Sequence, residues 1–178
     1  MKIGAIILCR YSSTRLPGKI LKSISGKPIL QYILERLDES STITQIVVAT
    51  SNDPSDRPIV DFCEGNGVKC YTGSLENVSQ RFLEAAISFD LDYAIRVNGD
   101  NLFVDAQIID KMSKSLEKNR YDFISNVPKR TFPIGMSVEI VRTDFYRNQL
   151  VNFAASSDYE HVTQYLYNNP DLGNYHFV

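Results

Sequence analysis

A short loop near the start of the chain carries residue types that bind polyphosphates. It follows the apolar run Ile3–Leu8, which predicts a strand buried on both faces. Between residues 9 and 19 the loop contains hydroxyl and cationic side chains: Ser12, Ser13, Arg10, Arg15 and Lys19. Guanidinium and ammonium groups bind phosphate oxygens, and hydroxyl groups can hydrogen-bond to them. We therefore predict anion binding at this loop, with a solvated basic loop as the alternative.

A second stretch, residues 96–105, places an aspartate directly after another predicted strand. Asp100 follows Asn98-Gly99 at the end of the apolar run 93–97. A carboxylate in this position suits Mg²⁺, which is usually held by one or two carboxylates together with substrate phosphates. An aspartate that only caps a turn is the alternative. The residues by themselves leave both interpretations open.

The run from Arg10 to Leu21, R-Y-S-S-T-R-L-P-G-K-I-L, resembles the opening signature of the cytidylyltransferases that make CMP-activated acidic sugars. That family includes the CMP-Kdo and CMP-sialic acid synthetases and a spore-coat polysaccharide branch. The resemblance implies CTP and an acidic sugar as substrates and Mg²⁺ as the cofactor. It also implies catalytic roles for Lys19, Arg10 and Asp100, and nucleotide binding by the whole first loop: Arg10, Ser12, Ser13, Arg15 and Lys19.

Residues 96–105 resemble the family motif R-x-x-G-D-x-P-x-x-D, whose first aspartate binds metal. The resemblance therefore assigns the metal to Asp100. Asp105 matches the last aspartate of the motif and is expected to cap the next helix. Leu102 replaces the family's proline.

Residues 73–82 resemble the family's G-S-x-x-D-V-L-x-R-[YF], with Asn77 in place of the aspartate. Arg81, on the predicted helix that follows, is a candidate for binding the triphosphate. The alternative is a solvated helix arginine. Thr50, at the end of another predicted strand, is a further candidate nucleotide contact.

Two later stretches resemble the family's sugar-binding motifs. Residues 132–139 match F-P-x-G-L-D-x-E, with Ser137 in place of the aspartate. Residues 158–163 match [DE]-R-E-H-V-T, with Tyr159 in place of the arginine. The resemblance implies these sugar contacts: Arg96, Glu139, Glu160 and His161.

Predicted strands and helices alternate along the first part of the chain, and these elements must position the candidate residues. Further strands are predicted at 45–49, 68–71 and 93–97. Helices are predicted to begin after Pro28, at Pro58, near Val78 and near Ile108. This alternation indicates a parallel sheet with right-handed crossovers. It resembles the α/β/α sandwich of the nucleotide-diphospho-sugar transferases, a Rossmann-like fold with a mostly parallel sheet.

Beyond Asp122 the regular alternation of predicted strands and helices ends. Strands are predicted at 123–127 and 137–141, helices at 144–151 and 158–167, and the start of a strand at 175–178. Relatives continue into a C-terminal segment with further acidic residues and dimer contacts, which we expect this chain to lack. Because the dimer contacts of relatives lie in that segment, the sequence leaves open whether this chain forms a homodimer.

The amino-acid composition limits the classes of partner that we expect this protein to bind. The 178 residues predict one domain, 1–178, and the net charge of −2 lacks the basic excess of nucleic-acid-binding proteins. No apolar run reaches transmembrane length. The three cysteines have no metal-binding spacing, and their odd number argues against a disulfide framework. We expect a cytoplasmic protein with neither nucleic-acid nor membrane partners.

We predict nucleotidyl transfer: CMP passes from CTP to the anomeric hydroxyl of an acidic sugar, with release of pyrophosphate, in surface-polysaccharide biosynthesis. A nucleotide-sugar-dependent glycosyltransferase is one alternative, although no D-x-D motif follows a predicted strand. A catalytically impaired nucleotide- or sugar-binding module is the other, and Asn77, Ser137 and Tyr159 favour it. These departures, with the expected lack of the C-terminal segment, predict slow turnover or none.

Overall fold

The computed structural model describes residues 1–12, 16–128 and 131–178. Its strands are β1 (Ile3–Leu8), β2 (Ser23–Ile24), β3 (Lys27–Pro28), β4 (Gln45–Ser51), β5 (Lys69–Gly73), β6 (Tyr93–Asn98), β7 (Phe123–Ser125), β8 (Glu139–Arg142) and β9 (Tyr175–Phe177). Its helices are α1 (Ile29–Asp38), α2 (Arg57–Gly65), α3 (Val78–Ser88), α4 (Ala106–Ser115), α5 (Thr143–Leu150), α6 (Ser156–Glu160) and α7 (Gln164–Asn168).

In the described residues, seven strands form one sheet in the order β5-β4-β1-β6-β8-β7-β9. The strands β5, β4, β1 and β6 run parallel, which confirms the predicted parallel core. From β1 the chain moves outward through β4 to β5 and then returns to β6 on the other side of β1. Because the strand order reverses there, a crevice forms between the carboxyl ends of β1 and β6, where open α/β sheets bind ligands.

Helices on both faces bury the central strand completely. All six residues of β1 are buried, as its uninterrupted apolar run predicts. Alternate residues belong to different cores: Ile3, Ala5 and Ile7 pack in the cluster that includes α1, α2 and α4, whereas Ile6 and Leu8 pack with α3 and α5. The predicted Rossmann-like α/β/α sandwich is therefore confirmed. Within the described residues, no helix has the length and apolar character needed to span a bilayer.

The later part of the chain is mixed, as predicted, with one correction. Strand β8 runs antiparallel to β6 and β7, whereas β9 is parallel to β7. The single helix predicted at 158–167 is wrong, because α6 ends at Glu160 and His161 has non-helical backbone angles (φ −107°, ψ 87°). The break is held by the Tyr146 hydroxyl, which donates to the Val162 carbonyl at 2.7 Å.

Candidate functional site

A cleft of about 820 Å³ opens at the carboxyl ends of β1 and β6. The sheet and its loops contribute Cys9, Arg10, Lys19, Arg96, Asn98, Gly99 and Asp100. The start of α3 contributes Glu76, Asn77, Val78 and Arg81, and the region of α6 contributes Ser156, Tyr159, Glu160, His161 and Val162. Residues far apart in sequence, and predicted separately for nucleotide, metal and sugar, thus line one cavity.

Lys19 and Asp100 face each other where β1 and β6 end. Lys19 Nζ lies 3.0 Å from Asp100 Oδ2, and 31% and 57% of the two side chains are exposed. The Gly99 N–H donates to the Leu8 carbonyl at 2.9 Å and joins the two strand ends. A Cβ atom at Gly99 would lie only 2.7 Å from Cys9 Cβ, so glycine permits this close approach. The pair therefore sits at the point where the sheet topology predicts a ligand.

The first loop closes between Tyr11 and Gly18. The Gly18 N–H donates to the Tyr11 carbonyl at 2.8 Å. Gly18 has a φ of +68°, and a Cβ atom there would lie 2.8 Å from the Tyr11 ring. This closure leaves Arg10 and Lys19, which flank the turn, on the wall of the cleft. The local sequence Pro17-Gly18 thus positions the two cations that the spacing predicts for phosphate binding.

The remaining predicted nucleotide contacts differ in their placement. Ser12 is exposed and is not among the residues that line the cleft, while Ser13 and Arg15 lie outside the described residues. The prediction for Thr50 is corrected. Thr50 is fully buried, and its hydroxyl donates to Asp56 Oδ2 at 2.9 Å, so it supports the site instead of contacting a nucleotide.

Arg81 is a buried guanidinium on the cleft wall, which excludes the solvated helix arginine considered above. Only 3% of its area is exposed. Its Nη1 donates to the Ser74 carbonyl at 2.5 Å, and its Nε has no hydrogen-bond partner in the described residues. Burial is the main cause that lowers the pKa of Arg81, and the nearby charge of Arg10 lowers it further. An anionic ligand would pair with this charge and favour its protonated form.

Asn77 performs the capping role that an aspartate would have at its position. Its Oδ1 accepts from the Gln80 N–H at 2.8 Å and caps α3. Ser137, the other position where relatives carry an aspartate, is not among the residues that line the cleft. The lost carboxylate at Ser137 therefore removes no ligand from the described cleft wall, which weakens the sequence argument for an impaired phosphate site.

The sugar-contact prediction for Glu139 is also corrected. Glu139 is only 3% exposed and does not line the cleft. Its Oε2 forms an ion pair with Arg96, which does line the cleft. Its Oε1 accepts from the Thr163 hydroxyl at 2.6 Å and the Tyr167 hydroxyl at 2.7 Å. Burial, followed by the charge of Glu139, raises the pKa of Tyr167, so its hydroxyl remains a donor. Glu139 thus positions Arg96 from behind.

The break between α6 and α7 exposes a polar surface to the cleft. Glu160 and His161, both predicted sugar contacts, line the cleft beside Tyr159. The Tyr159 hydroxyl donates to the Phe153 carbonyl at 2.8 Å, and the Ser79 hydroxyl donates to the Asp158 carbonyl at 2.7 Å. These bonds attach α6 to its neighbours, so the polar pair projects from a supported segment.

Two further side chains define what chemistry the cleft can support. Burial raises the pKa of Cys9 to about 12, so its thiol stays protonated near neutral pH and is a poor nucleophile. Asp100 fits a Mg²⁺ ion that takes its other ligands from phosphates and water. In the described residues, no three His, Cys, Asp or Glu side chains are grouped so that they could hold a metal by themselves. The site therefore suits a cation that binds together with a polyphosphate.

Sequence reasoning missed Asp56. It is fully buried and accepts hydrogen bonds from the loop after β1 and from the end of β4. The hydroxyl residues Thr50 and Ser51, followed closely by an aspartate at a helix start, are the only local signal. The bond to Tyr11 joins residues 45 positions apart and has no local pattern.

Comparison with known proteins extends these observations. The family described as Cytidylyltransferase matches residues 4–177, a span that includes every residue named on the cleft wall. The spore coat polysaccharide biosynthesis protein SpsF of Bacillus subtilis is 31% identical over 180 residues, covering 97% of this chain and 73% of that protein. A 3-deoxy-manno-octulosonate cytidylyltransferase of Geobacter metallireducens is 33% identical over 72% of this chain and 56% of its own length. The structure of a cytidylyltransferase from Leptospira borgpetersenii serovar Hardjo-bovis has a TM-score of 0.94 at 31% identity, covering 100% of this chain and 76% of that one.

Proposed function

Because this chain belongs to the cytidylyltransferase family, we propose that it transfers CMP from CTP to an acidic sugar. The acceptor atom is the anomeric hydroxyl oxygen, and pyrophosphate is the second product. The name of the spore-coat relative supports surface-polysaccharide biosynthesis as the pathway, and the name of the 3-deoxy-manno-octulosonate relative supports an acidic sugar as the acceptor.

The meeting of Lys19, Asp100 and Arg81 in one cleft is the observation that supports this proposal most strongly. Two of these residues are cations, and Arg81 is buried without a carboxylate within ion-pair distance in the described residues. A buried charge is costly unless it is paired, so the cleft favours an anionic ligand. A triphosphate meets this requirement better than a neutral sugar.

In the proposed complex the triphosphate contacts Arg10, Lys19 and Arg81. Their positive charges neutralise the phosphate oxygens as negative charge develops on the leaving pyrophosphate. Asp100 would hold Mg²⁺, which supplies further charge neutralisation on the phosphates when it is bound. Lys19 would then exchange its contact with Asp100 for a phosphate oxygen.

The chemical step is an in-line displacement at the α-phosphorus. The bond between the anomeric oxygen and phosphorus forms, the bond from phosphorus to the bridging oxygen of pyrophosphate breaks, and the hydroxyl proton leaves to solvent. Catalysis of this type depends on positioning and electrostatic stabilisation. Arg10, Lys19 and Arg81 supply the electrostatic part on the phosphate side.

The sugar lies against Arg96, Glu160 and His161 in this proposal. Arg96 lines the cleft with 18% of its side chain exposed, and its guanidinium group can donate to a sugar carboxylate. Glu160 can accept from sugar hydroxyl groups, and His161 can donate to the carboxylate or a hydroxyl. These three residues come from β6 and from the break between α6 and α7, opposite the first loop.

Pyrophosphate release tests the proposal. The protein is incubated with Mg²⁺, CTP and a panel of 3-deoxy sugar acids, with Asp100→Asn and a neutral hexose as controls. We expect release that requires both CTP and an acidic sugar, together with a CMP-sugar detected by mass. Consumption of a nucleotide sugar would indicate a glycosyltransferase, and CTP binding without pyrophosphate release would indicate a binding module.

A further inference from the structure

We infer that Asp56 is a positioning residue that holds the nucleotide-binding loop against the end of β4. The inference rests on the proposed function, because it concerns the loop that would bind CTP. Asp56 is fully buried and is not among the residues that line the cleft. It would therefore act through the loop and not by touching a substrate.

The Asp56 carboxylate accepts hydrogen bonds from the loop after β1 and from the last two residues of β4. Its Oδ1 accepts from the Tyr11 N–H at 2.6 Å, in the loop that follows β1. Its Oδ2 accepts from the Thr50 hydroxyl at 2.9 Å, the Ser51 N–H at 3.0 Å and the Ser51 hydroxyl, all at the end of β4. One side chain thus links the carboxyl ends of two neighbouring parallel strands.

A helix-capping role does not explain this arrangement. Asp56 occupies the N-cap position of α2 but makes no capping hydrogen bond with its side chain. An aspartate at this position would ordinarily accept from an N–H of the first helical turn. Asp53, in the same loop, makes such a local bond by accepting from the Ser55 N–H at 2.9 Å. The Asp56 carboxylate is instead directed to the first loop and β4.

The bond to Tyr11 lies at the base of the proposed phosphate-binding turn. Tyr11 follows Arg10, and its carbonyl accepts from Gly18, which precedes Lys19. Two consecutive hydrogen bonds therefore connect Asp56 to the backbone beside both cations. Because the described donors to Asp56 are neutral, Asp56 forms no ion pair with Arg10 or Lys19 within the described residues.

Asp56→Asn tests the inference, since it keeps the side-chain volume but replaces one acceptor oxygen with an NH₂ group. Whichever way the amide is oriented, its NH₂ group then faces a backbone N–H, that of Tyr11 or that of Ser51. We expect the KM for CTP to rise about tenfold to hundredfold, with the KM for the sugar acid nearly unchanged. Amide hydrogen exchange at Tyr11 and Gly18 should accelerate. Asp53→Asn is the matched control and should leave both measurements unchanged.

Thr50→Val keeps the test decisive if Asp56→Asn does not fold. It removes one donor to Asp56 at nearly constant volume. We expect the KM for CTP and the exchange rates at Tyr11 and Gly18 to rise about two- to fivefold. Unchanged exchange at Tyr11 and Gly18 in the folded variant would overturn the inference, whatever the ligand. If the wild-type protein does not bind CTP while the variants still loosen the loop, the proposed function fails and the positioning role stands.

Discussion

The cleft has two walls that are supported in different ways. We call Arg10 and Lys19 the nucleotide wall, and Arg96, Glu160 and His161 the sugar wall, after the ligands that we propose for them. Behind the nucleotide wall, the donors to the buried carboxylate of Asp56 are neutral groups within the described residues, two of them backbone N–H groups. The cations of that wall are therefore positioned without being neutralised by Asp56.

Behind the sugar wall, a buried carboxylate pairs directly with the cation that it positions. Glu139 forms an ion pair with Arg96 and also accepts bonds from Thr163 and Tyr167 near the α6–α7 break. From this difference we propose that the nucleotide wall binds mainly through charge, and that the sugar wall binds through hydrogen bonds in a fixed geometry. Substitutions on the two sides should accordingly have different effects.

Glu139→Gln should produce the largest loss of stability. It leaves the Arg96 charge without its partner, and breaking a buried ion pair costs about 3–5 kcal/mol. Because Arg96 also borders the cleft, we expect a loss at the lower end of this range. The free energy of unfolding, measured with denaturant, should fall by about 3 kcal/mol. Glu35→Gln, which breaks an exposed pair with Lys27, should change the free energy of unfolding far less. Equal losses in the two variants would contradict the structural role of Glu139.

Gly99→Ala tests the junction between the two walls. A Cβ atom there would approach Cys9 Cβ to 2.7 Å, so we expect destabilisation of about 1–3 kcal/mol from overpacking. CTP and sugar binding should both weaken, because Arg10 follows β1 and Arg96 lies on β6. Gly65, at the end of α2, has open space around it, and Gly65→Ala is the control that should leave both affinities unchanged. A Gly99→Ala protein with normal stability would show that the strand ends can separate freely.

Asp100→Asn should weaken CTP binding about tenfold in the presence of Mg²⁺. Without Mg²⁺ the affinity should not fall, because the substitution removes a negative charge near the phosphates. Calorimetric titration with and without chelator separates these effects. A lowered melting temperature with unchanged Mg²⁺-dependent binding would instead identify Asp100 as a structural residue.

Substitution of Asp110, which lies away from both walls, should have a small effect on stability. Burial raises the pKa of its carboxyl, but hydrogen bonds from Ser40, Ser41 and Thr42 outweigh burial and hold the pKa well below its usual value. The resulting stability is present above the unfolded-state pKa of about 3.9 and is lost as pH falls through the folded-state pKa. Asp110→Asn should therefore cost about 1 kcal/mol at pH 7, and the difference should shrink below about pH 4. A difference that grows on acidification would contradict this assignment.

The nucleotide wall was largely predictable from the sequence, because its strand, loop and cations are adjacent along the chain. The uninterrupted apolar run of β1 and the positions of Arg10 and Lys19 predicted both the element and its location. The bond from Tyr11 to Asp56 and the bonds to Glu139 were not predictable, since they join distant segments of the chain. The prediction for Thr50 failed because the local sequence does not show that its hydroxyl is buried against Asp56.

The sugar wall was less predictable for a related reason. Helical spacing across 158–167 suggested one helix, but tertiary bonds from Tyr146 to Val162 and from Thr163 to Glu139 stabilise a break. That break brings Glu160 and His161 to the cleft. Local propensity therefore failed at the segment where the site requires irregular backbone.

The most direct test of the charge-based nucleotide wall is calorimetric titration of CTP into Lys19→Ala and Lys22→Ala. Lys22 is exposed and is not among the residues that line the cleft, so it controls for the loss of one positive charge nearby. We predict that Lys19→Ala weakens CTP binding by about 1.5–3 kcal/mol, the contribution of a charged hydrogen bond. Lys22→Ala should bind like the wild type. Equal CTP affinity for both folded variants and the wild type would contradict the account.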